Sequence, residues 1–374
     1  PISLSIVQYH SMEKDDDSQE TQGAVDDGVS GADGGSGKKN KEFSRRNFLK
    51  TAGALGMAAA LGGVHEKLFT TEAGAATASA LAVTVLGSGG PMSMVDRASP
   101  GYLISVDGTP RIFMDCGGGT YERLGQGGFI DLMQVDMWLF SHFHIDHAAD
   151  FPAIIKSMYY LRRSYNSTPL TIIGPQKGGR FPSATEFVDK HFNPDSGVYA
   201  YIHDFLNTVY APDMNLATID IPYDYNTIKA PLTVFAKDGI TVSSIPVRHG
   251  SNLATPSVAY RVDYSGKSIT YSGDLSSDTG LDRENIVALS TGSDVLIYDA
   301  SLSPVQQIDP PDDFHSLPGE IGQVAQAAGV KKLVLSHFMP PYTDLKIREI
   351  VAAVTQYYSG TVIVANDLLT VDTV

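Results

Sequence analysis

The chain has 374 residues and a formal net charge of −15 at pH 7, with 27 lysines and arginines against 42 aspartates and glutamates. This acidic balance disfavours a long polyanionic ligand, because phosphate binding depends on lysine and arginine. The single cysteine excludes an intrachain disulfide, and the chain after about residue 80 is long enough for one large domain.

The N-terminal part has two compositions. Residues 1–43 are acidic and rich in glycine and serine, so they bury little apolar surface, and we expect a disordered extension with Met12 as a candidate start. Residues 44–80 begin with Ser44-Arg45-Arg46-Asn47-Phe48-Leu49-Lys50 and continue with a short, weakly apolar run of alanine and glycine. This pattern resembles a twin-arginine signal peptide. It implies export by the twin-arginine machinery to the periplasm or the extracellular space, with no stable membrane anchor.

The rest of the chain contains two halves with strand patterns. The first runs from Val83 to about Leu161 and includes a predicted helix over Phe151–Leu161. The second has strand patterns over Leu232–Pro246, Val258–Tyr264, Ser268–Tyr271, Gly360–Ala365 and Thr370–Val374, and helical patterns over Leu317–Ala328 and Leu345–Tyr358. Between the halves, residues 162–230 are rich in Tyr, Asn, Pro and Asp, and we expect a cap or wall there that sets substrate choice.

A histidine-rich run follows the apolar segment Met137–Phe140. It reads Ser141-His142-Phe143-His144-Ile145-Asp146-His147, and such an H-x-H-x-D-H run can offer ligands to two adjacent zinc-type ions. Because alternate strand residues share a face, His142 and His144 would point to one position, and the turn would bring Asp146 and His147 to a second. The alternative is a histidine-rich surface loop, which the total of only ten histidines disfavours.

Further donors follow later strand patterns. They are His249 after Ile245–Arg248, Asp274 after Ser268–Gly273, His337 after Leu333–Ser336, and His315 in the proline-rich stretch Pro310–Pro318. Loops at strand ends gather around pockets. A single histidine at a strand end is more often structural, but the order of these residues after the first run favours one joint metal site.

Together these residues resemble the metallo-β-lactamase superfamily, in particular the branch that includes ribonuclease Z and secreted arylsulfatase-like hydrolases. Further similar segments are Leu86–Pro91 with Arg97, Phe113–Thr120, Ala259–Arg261 and Tyr271–Asp274. The resemblance extends from about Val83 to the C-terminus. It implies an α/β fold over residues 81–374, namely the αββα sandwich of two β-sheets with helices outside.

The resemblance also implies a ligand set for two divalent metal ions, with zinc expected and manganese or iron as alternatives. One ion would be held by His142, His144 and His249, the other by Asp146, His147 and His337, with Asp274 bridging them. Two such ions can share a bridging hydroxide, because their charge lowers the pKa of bound water from 15.7 towards about 7. Asp146 has a second candidate role, which is to orient that hydroxide.

Proton transfer and substrate binding need other residues. In the resembling branch a histidine at the place of His315 protonates the leaving group, and Asp299 is the matching carboxylate where glutamate is more common. The alternative for His315 is to cap the helix that begins near Leu317. Arg97 and Arg261 are candidates for binding an anionic substrate group, and equally for tying a loop to a carboxylate.

For four other polar residues we expect structural or orienting roles. Asp115 either orients a ligand histidine or ties down the glycine turn after it, and Cys116 is expected to be a small buried residue. His191 and His203 lie in a region without ligand spacing, so we expect surface or structural roles for both.

We therefore expect an exported dinuclear-metal hydrolase that cleaves small sulfate or phosphate (di)esters, with no nucleic-acid partner. The sequence itself does not define the oligomeric state, but the resemblance implies a homodimer, since relatives often form dimers. One alternative is a ribonuclease Z-type endonuclease acting at the 3′ end of transfer RNA precursors. The export signal, the acidic charge and the interval of about 25 residues between His249 and Asp274 disfavour it, because that interval usually carries a long RNA-binding arm. A second alternative is a lactone or β-lactam hydrolase, although the bridging Asp274 does not favour a true β-lactamase.

Overall fold

The computed structural model describes residues 80–374 except 93, 130–131, 161–167, 206–215, 225, 251–254, 279, 305–313 and 341–342. The predicted extension, residues 1–43, and the predicted signal segment up to residue 79 lie outside the described residues. Within the described part of the chain, no helix is both long enough and apolar enough to cross a membrane.

Two seven-stranded mixed sheets form the framework. In spatial order the first contains β14 (Thr370–Asp372), β1 (Leu81–Gly87), β2 (Gly101–Val106), β3 (Thr109–Cys116), β4 (Met137–Leu139), β5 (Leu170–Pro175) and β6 (Leu216–Ile221). The second contains β13 (Thr361–Val364), β12 (Lys332–Ser336), β11 (Val295–Asp299), β10 (Lys267–Tyr271), β9 (Val258–Tyr264), β8 (Ile240–Pro246) and β7 (Leu232–Lys237). Pairs are parallel from β3 to β6 and from β10 to β13, and antiparallel elsewhere.

Two-residue turns set the register of the antiparallel strands. Asp107-Gly108 joins β2 to β3, Asp238-Gly239 joins β7 to β8, and Ser265-Gly266 joins β9 to β10. Both residues of each turn have positive φ, between 48° and 79°. This geometry matches the right-handed twist of the strands, and glycine at the second position allows it without strain.

The helices described are α1 (Thr120–Gln126), α2 (Ile145–Ala148), α3 (Phe151–Tyr160), α4 (Ala184–Phe192), α5 (Ala200–Phe205), α6 (Gly280–Ser290), α7 (Pro318–Ala328) and α8 (Asp344–Thr355). The helices predicted from the sequence near residues 151–161, 317–328 and 345–358 correspond to α3, α7 and α8. Helix α7 begins with a proline, whose missing N–H costs nothing there, and ends at Gly329 with a φ of 61°.

Alternating side chains divide the core into layers. In β12, Val334 packs between the two sheets, whereas Leu333 and Leu335 pack on the outer side against α7 and α8. In β4, Met137 and Leu139 face the inter-sheet core, and Trp138 faces the aromatic core under α3 and α4. This two-residue period on both sheets confirms the predicted αββα sandwich with its helices outside.

The described part of residues 162–230 contributes two strands and a helix to the sandwich, and the cap or wall over the metals stays a prediction. Strands β5 and β6 extend the first sheet in parallel with β4, and Val188 and Phe192 of α4 pack into the same core as Trp138. The run Leu170-Thr171-Ile172-Ile173 is buried throughout, because a parallel strand covered on both faces has no polar side. These two strands and this helix belong to the sandwich itself.

Candidate metal centre

The histidine-rich run leaves β4 and turns into the short helix α2. It packs closely against the glycine turn that follows β3, because a Cβ atom added to Gly117 would lie 1.7 Å from the carbonyl oxygen of Asp146. Only glycine permits this approach. The end of β3 and the run from His142 to His147 are therefore held together at the carboxyl ends of the parallel strands.

The second sheet supplies donors from three neighbouring strand ends. Asp274 follows β10, Asp299 ends β11, and His337 follows β12. The loop carrying His337 is tied to the first sheet, because the amide of Phe338 donates to the carbonyl oxygen of Ser88 at 3.1 Å. Both sheets therefore bring their donors to the same edge of the sandwich.

Three imidazole nitrogens converge in what we call the trihistidine group, formed by His142, His144 and His249. Nδ1 of His144 lies 2.9 Å from Nε2 of His142 and 3.2 Å from Nε2 of His249. Burial lowers the pKa of all three rings, that of His249 to about 3. These rings are neutral at pH 7 and can offer lone pairs to a cation.

A second set, which we call the mixed group, consists of Asp146, His147 and His337. The two Nε2 atoms lie 3.3 Å apart, and Oδ2 of Asp146 is 3.5 Å from each. Burial acts to lower the pKa of both histidines, but the surrounding carboxylates outweigh it and raise both pKa values, that of His147 strongly. Burial acts to raise the pKa of Asp146, yet the adjacent histidines hold it at about 2.

Asp274 lies between the two groups. Its Oδ2 is 3.3 Å from Nε2 of both His147 and His337, and 3.8 Å from Nε2 of His249. Its Oδ1 is buried and has no hydrogen-bond partner among the described residues. A buried carboxylate oxygen without a partner is costly, and a cation at this position would supply one. The donor set therefore fits divalent metal ions. Among the described residues, five overlapping clusters of possible ligands have atoms within 4.8 Å of one another, and two of these clusters include His315.

Asp115 fixes the orientation of two histidines from outside the groups. Its Oδ2 accepts the Nδ1–H of His147 at 2.8 Å, so Nε2 is the atom of that ring that can offer a lone pair once the ring has lost its second proton. It also accepts the hydroxyl protons of Ser141 at 2.6 Å and Tyr271 at 2.7 Å. Because Ser141 gives its proton to Asp115, it accepts from Nδ1 of His142 at 3.0 Å. The orienting role that the sequence left open for Asp115 is the one that this geometry supports.

The other two inward-facing Nε2 atoms are fixed in the same way. Nδ1 of His249 donates to the carbonyl oxygen of Phe314 at 2.8 Å. The hydroxyl of Ser301 donates to Asp299 and accepts from Nδ1 of His337 at 2.7 Å. Four of the five histidines in the two groups thus present Nε2, and His144 presents Nδ1.

His315 lies beside both groups. Its ring centroid is 5.5 Å from that of His249 and 5.7 Å from that of His337. Its Nδ1 donates to Oδ2 of Asp299 at 2.6 Å, which leaves Nε2 as the ring atom able to carry a second proton. The side chain therefore pairs with Asp299, and the N-cap position of α7 is occupied by Leu317.

Arg97 is buried and bonded to the protein itself. Its guanidinium donates to Oγ of Ser88 at 2.5 Å, to the carbonyl oxygen of Ala365 at 2.6 Å and to Oδ1 of Asn366 at 2.9 Å. Arg97 nevertheless lines a cavity of about 470 Å³ that also reaches Asp146. Arg97 therefore links neighbouring segments by hydrogen bonds and also lines the cavity beside the mixed group.

Arg261 is not brought to the two groups by these contacts. Its guanidinium donates to the carbonyl oxygens of Leu289 and Thr291 at the end of α6, and to Asp263. His191 donates from Nδ1 to the carbonyl oxygen of Phe187 and packs among aromatic rings, which is a structural position. Cys116 is fully buried, and burial raises the pKa of its thiol. The side chain of His203 lies outside the described residues.

Three partners of the site residues were not predicted from the sequence. They are Ser301, which contacts His337, Tyr271, which contacts Asp115, and Phe314, which contacts His249. The Asp299-Ala300-Ser301 spacing was one available signal, because an aspartate often accepts the amide of the residue two positions on, as here at 3.0 Å. For Phe314, adjacency to His315 was the only signal.

Comparison with known proteins gives two family matches. Residues 184–338 match the Beta-lactamase superfamily domain, and residues 42–62 match the TAT (twin-arginine translocation) pathway signal sequence. The first match contains His249, Asp274, Asp299, His315 and His337, but it begins after the run from His142 to His147. The second overlaps the predicted signal segment and confirms its type.

Similar proteins of known name or structure include ribonucleases Z. The chain is 27% identical to ribonuclease Z of Mycobacterium bovis over 297 residues, covering 77% of this chain and 96% of the relative. It is 29% identical to ribonuclease Z of Methanosarcina acetivorans over 310 residues, covering 77% and 97%. Among solved structures, human tRNase Z, short form, has a TM-score of 0.56 at 20% identity, covering 78% of this chain and 99% of that one. The metallo-β-lactamase fold protein YhfI from Bacillus subtilis has a TM-score of 0.55 at 20% identity, with 78% and 98% covered.

The fold, the donor set and these similarities agree, and the signal sequence indicates export out of the cytoplasm. The chain therefore has the metallo-β-lactamase fold, with a Beta-lactamase superfamily domain match over residues 184–338, similarity to ribonucleases Z and a twin-arginine signal sequence.

Proposed function

We propose that this protein is an exported hydrolase that uses two divalent metal ions, zinc first among them, to cleave small sulfate or phosphate esters in the periplasm or outside the cell. The observation that carries the proposal is the position of Asp274 between two complete donor groups, within 3.8 Å of His249 and 3.3 Å of His147 and His337. Bound there, such ions would supply positive charge to the ester and acidify bound water.

The assignment of ligands follows from the two groups. The trihistidine group would hold one ion through three neutral nitrogens, and the mixed group would hold the other through two nitrogens and Asp146. One carboxylate, that of Asp274, is close enough to both groups to fix the separation of the ions. The outer partners Asp115, Ser141 and Ser301 keep the ring nitrogens pointing inward, which is their contribution to metal affinity.

His315 is the proposed proton donor to the leaving group. Asp299 accepts its Nδ1–H, so the proton to be transferred sits on Nε2, on the side away from the carboxylate. The carboxylate also fixes the orientation of the ring, so Nε2 faces the position of the leaving group. A leaving oxygen at hydrogen-bond distance from Nε2 would take that proton as its bond to sulfur or phosphorus breaks.

The size and charge of the site favour a small ester. The cavity beside Asp146 measures about 470 Å³, within the range of ordinary small-molecule sites. Its wall contains the cations Arg97 and Arg123 and the carboxylates Glu122 and Asp146. The whole chain has a net charge of −15, which is unfavourable for a long nucleic acid.

Cleavage of RNA is the second candidate, and the similarities favour it. The relatives named ribonuclease Z are matched over 96–97% of their length, and tRNase Z, short form, shares the fold. A phosphodiester in RNA and one in a small molecule require the same chemistry at the metals. The two candidates therefore differ in how the rest of the substrate is bound.

The test compares three substrates on the purified exported protein loaded with zinc or manganese. An aryl sulfate, a bis-aryl phosphate and a precursor transfer RNA would be assayed for initial rates, with Asp146→Ala as the blank. Faster metal-dependent cleavage of either small ester supports the proposal and shows whether the substrate is a sulfate or a phosphate ester. Cleavage of the RNA alone supports the second candidate, and no cleavage by a protein with two bound metals refutes both.

A further inference from the structure

His144 differs from the other four histidines of the two groups in how its ring is held. Each of those four rings has a hydrogen bond on the nitrogen that faces away from the site, to Asp115, Ser141, Ser301 or the carbonyl oxygen of Phe314. His144 presents Nδ1 to the trihistidine group, and its Nε2 has no hydrogen-bond partner among the described residues. The rotation of this ring is therefore not fixed by a hydrogen bond on its outer side.

Phe181 packs against the His144 ring. The two rings meet edge to face, with centroids 5.3 Å apart and an angle of 64° between their planes. In the described part of the chain, the other rings in contact with His144 are those of His142 and His249, its partners in the trihistidine group. Phe181 therefore supplies the ring contact that comes from outside the donor groups, and aromatic pairs prefer defined relative orientations.

A tight turn holds Phe181 in place. Gly178 and Phe181 exchange backbone hydrogen bonds of 2.9 and 3.3 Å around a two-residue tip that begins with Gly179. Gly179 has a φ of 54°, which glycine adopts without strain. A Cβ atom added to Gly178 would lie 2.3 Å from the hydroxyl oxygen of Tyr223 and 2.5 Å from Cγ of Pro256. The turn is therefore packed closely against its neighbours.

The chain on both sides of this turn is attached to helix α4. Ser183, two residues after Phe181, is the N-cap of α4, and its side chain accepts the amide of Glu186 at 3.2 Å. Lys177, just before the turn, forms an ion pair with the carboxylate of Glu186 at 2.7 Å. Since α4 packs into the core of the sandwich, the Phe181 ring reaches His144 from a well-supported backbone.

We propose that Phe181 is the positioning residue of His144 and fixes, by packing alone, the ring rotation that directs Nδ1 into the trihistidine group. This inference rests on the proposed function, of which it uses the metal binding, and it adds a residue outside the ligand set on which one ion depends. Without the Phe181 ring, the imidazole of His144 would rotate more freely and Nδ1 would face the ion for less of the time. The mixed group would be unaffected, because Asp115 and Ser301 orient its histidines.

The first test measures metal affinity without substrate. Zinc dissociation constants would be determined by chelator competition for the parent protein, Phe181→Ala, Phe181→Leu and Phe181→Tyr. The control is Phe235→Ala, which removes another half-buried phenylalanine, one that packs on the inter-sheet core. We expect Phe181→Ala to weaken one of the two sites about tenfold and Phe181→Leu to weaken it less, whereas Phe181→Tyr, which keeps the ring, should bind as the parent does.

Two outcomes of this titration would overturn the inference. One is equal affinity at both sites in Phe181→Ala and the parent protein. The other is a similar loss at both sites in Phe181→Ala and in Phe235→Ala, because that result would mean a general effect on the fold.

The second test identifies the affected ion and the ring atom that binds it. The protein would be loaded with cadmium-113, and correlation of each cadmium signal with histidine ring protons would assign the signals to the two groups. In Phe181→Ala we expect the correlation of His144 with its ion to weaken or to move from the Nδ1 to the Nε2 side of the ring, with the signal of the mixed group unchanged. A change confined to the mixed group would overturn the inference.

Ester cleavage by the zinc-loaded proteins separates this inference from the proposed function. If the trihistidine ion depends on Phe181 but the parent protein cleaves no ester, the proposed function fails and the positioning role stands. If esters are cleaved and both ions bind to Phe181→Ala as they do to the parent protein, the positioning role fails and the proposed function stands.

Discussion

The trihistidine group and the mixed group lie side by side and both contain buried imidazole rings, yet the pKa values of these rings are shifted in opposite directions. In the first, burial holds the pKa of His249 at about 3, although Asp274 acts to raise it. In the second, the pKa values of His147 and His337 are raised, because Asp146 and Asp274 lie within 3.5 Å of both. The number of nearby carboxylates therefore decides whether a buried histidine is ready for a metal or must first lose a proton.

Removing the carboxylate of the mixed group should have the largest effect. We expect Asp146→Ala to lose one of two metal ions and to reduce hydrolysis more than about a thousandfold, because the charge on the substrate would no longer be stabilised from both sides. Metal analysis and initial rates check this, with exposed Asp195→Ala as the control. Full activity in Asp146→Ala would refute the two-metal proposal.

Removing His315 should separate proton transfer from metal binding. We expect His315→Ala to keep both metals and to lose about 10²–10⁴-fold in rate on esters with poor leaving groups. Activated aryl esters need little proton assistance, so their loss should be much smaller. Rates across a series of leaving groups give the measurement, and equal losses for all of them would exclude His315 as the donor.

Changing Asp115 tests the orientation of the mixed group. Asp115→Asn weakens the acceptor of the His147 Nδ1–H, and we expect metal affinity to fall about 10–100-fold. Competition with a chelator measures the two affinities separately. Ser301→Ala, which removes the partner of His337, is the matched change and should act on the same ion. An effect confined to the trihistidine ion would contradict this assignment.

Lowering the pH should have the smallest effect, which is to release the two metal ions at different pH values. Raised pKa values mean that His147 and His337 still bind protons at a pH where the trihistidine rings are neutral, so protons compete with metal in the mixed group first. Lowering the pH below 7 should therefore release one ion before the other, and raising it should restore both. Metal content after dialysis at a series of pH values measures this, and simultaneous release would contradict it.

How far the sequence could predict the site depends on where each residue lies in the chain. The run from His142 to His147 is contiguous, so its chemistry was visible without the fold. His249, Asp274 and His337 were recognisable only because they end strand patterns in the expected order. The structure brings all of these side chains together, and their roles as ligands remain proposals.

Other features needed the folded chain. Tyr271 and Asp115 are 156 residues apart, and only the packing of the two sheets makes them hydrogen-bond partners. The buried strand Leu170–Pro175 lacks the alternation that marks a half-exposed strand, so its composition did not reveal its place in the first sheet. Arg261 had the right chemistry for an anion, but its contacts lie at the end of α6.

Two residues of the site adopt a backbone conformation that side chains disfavour, since Asp115 has a φ of 52° and His337 a φ of 60°. Asparagine occupies this left-handed region more readily than most residues. His337→Asn should thus remove a donor of the mixed group without adding backbone strain, because asparagine is also tolerated at this φ. For trapping a bound substrate or raising antibodies against the native fold, a substitution that keeps the backbone conformation in this way is preferable to alanine.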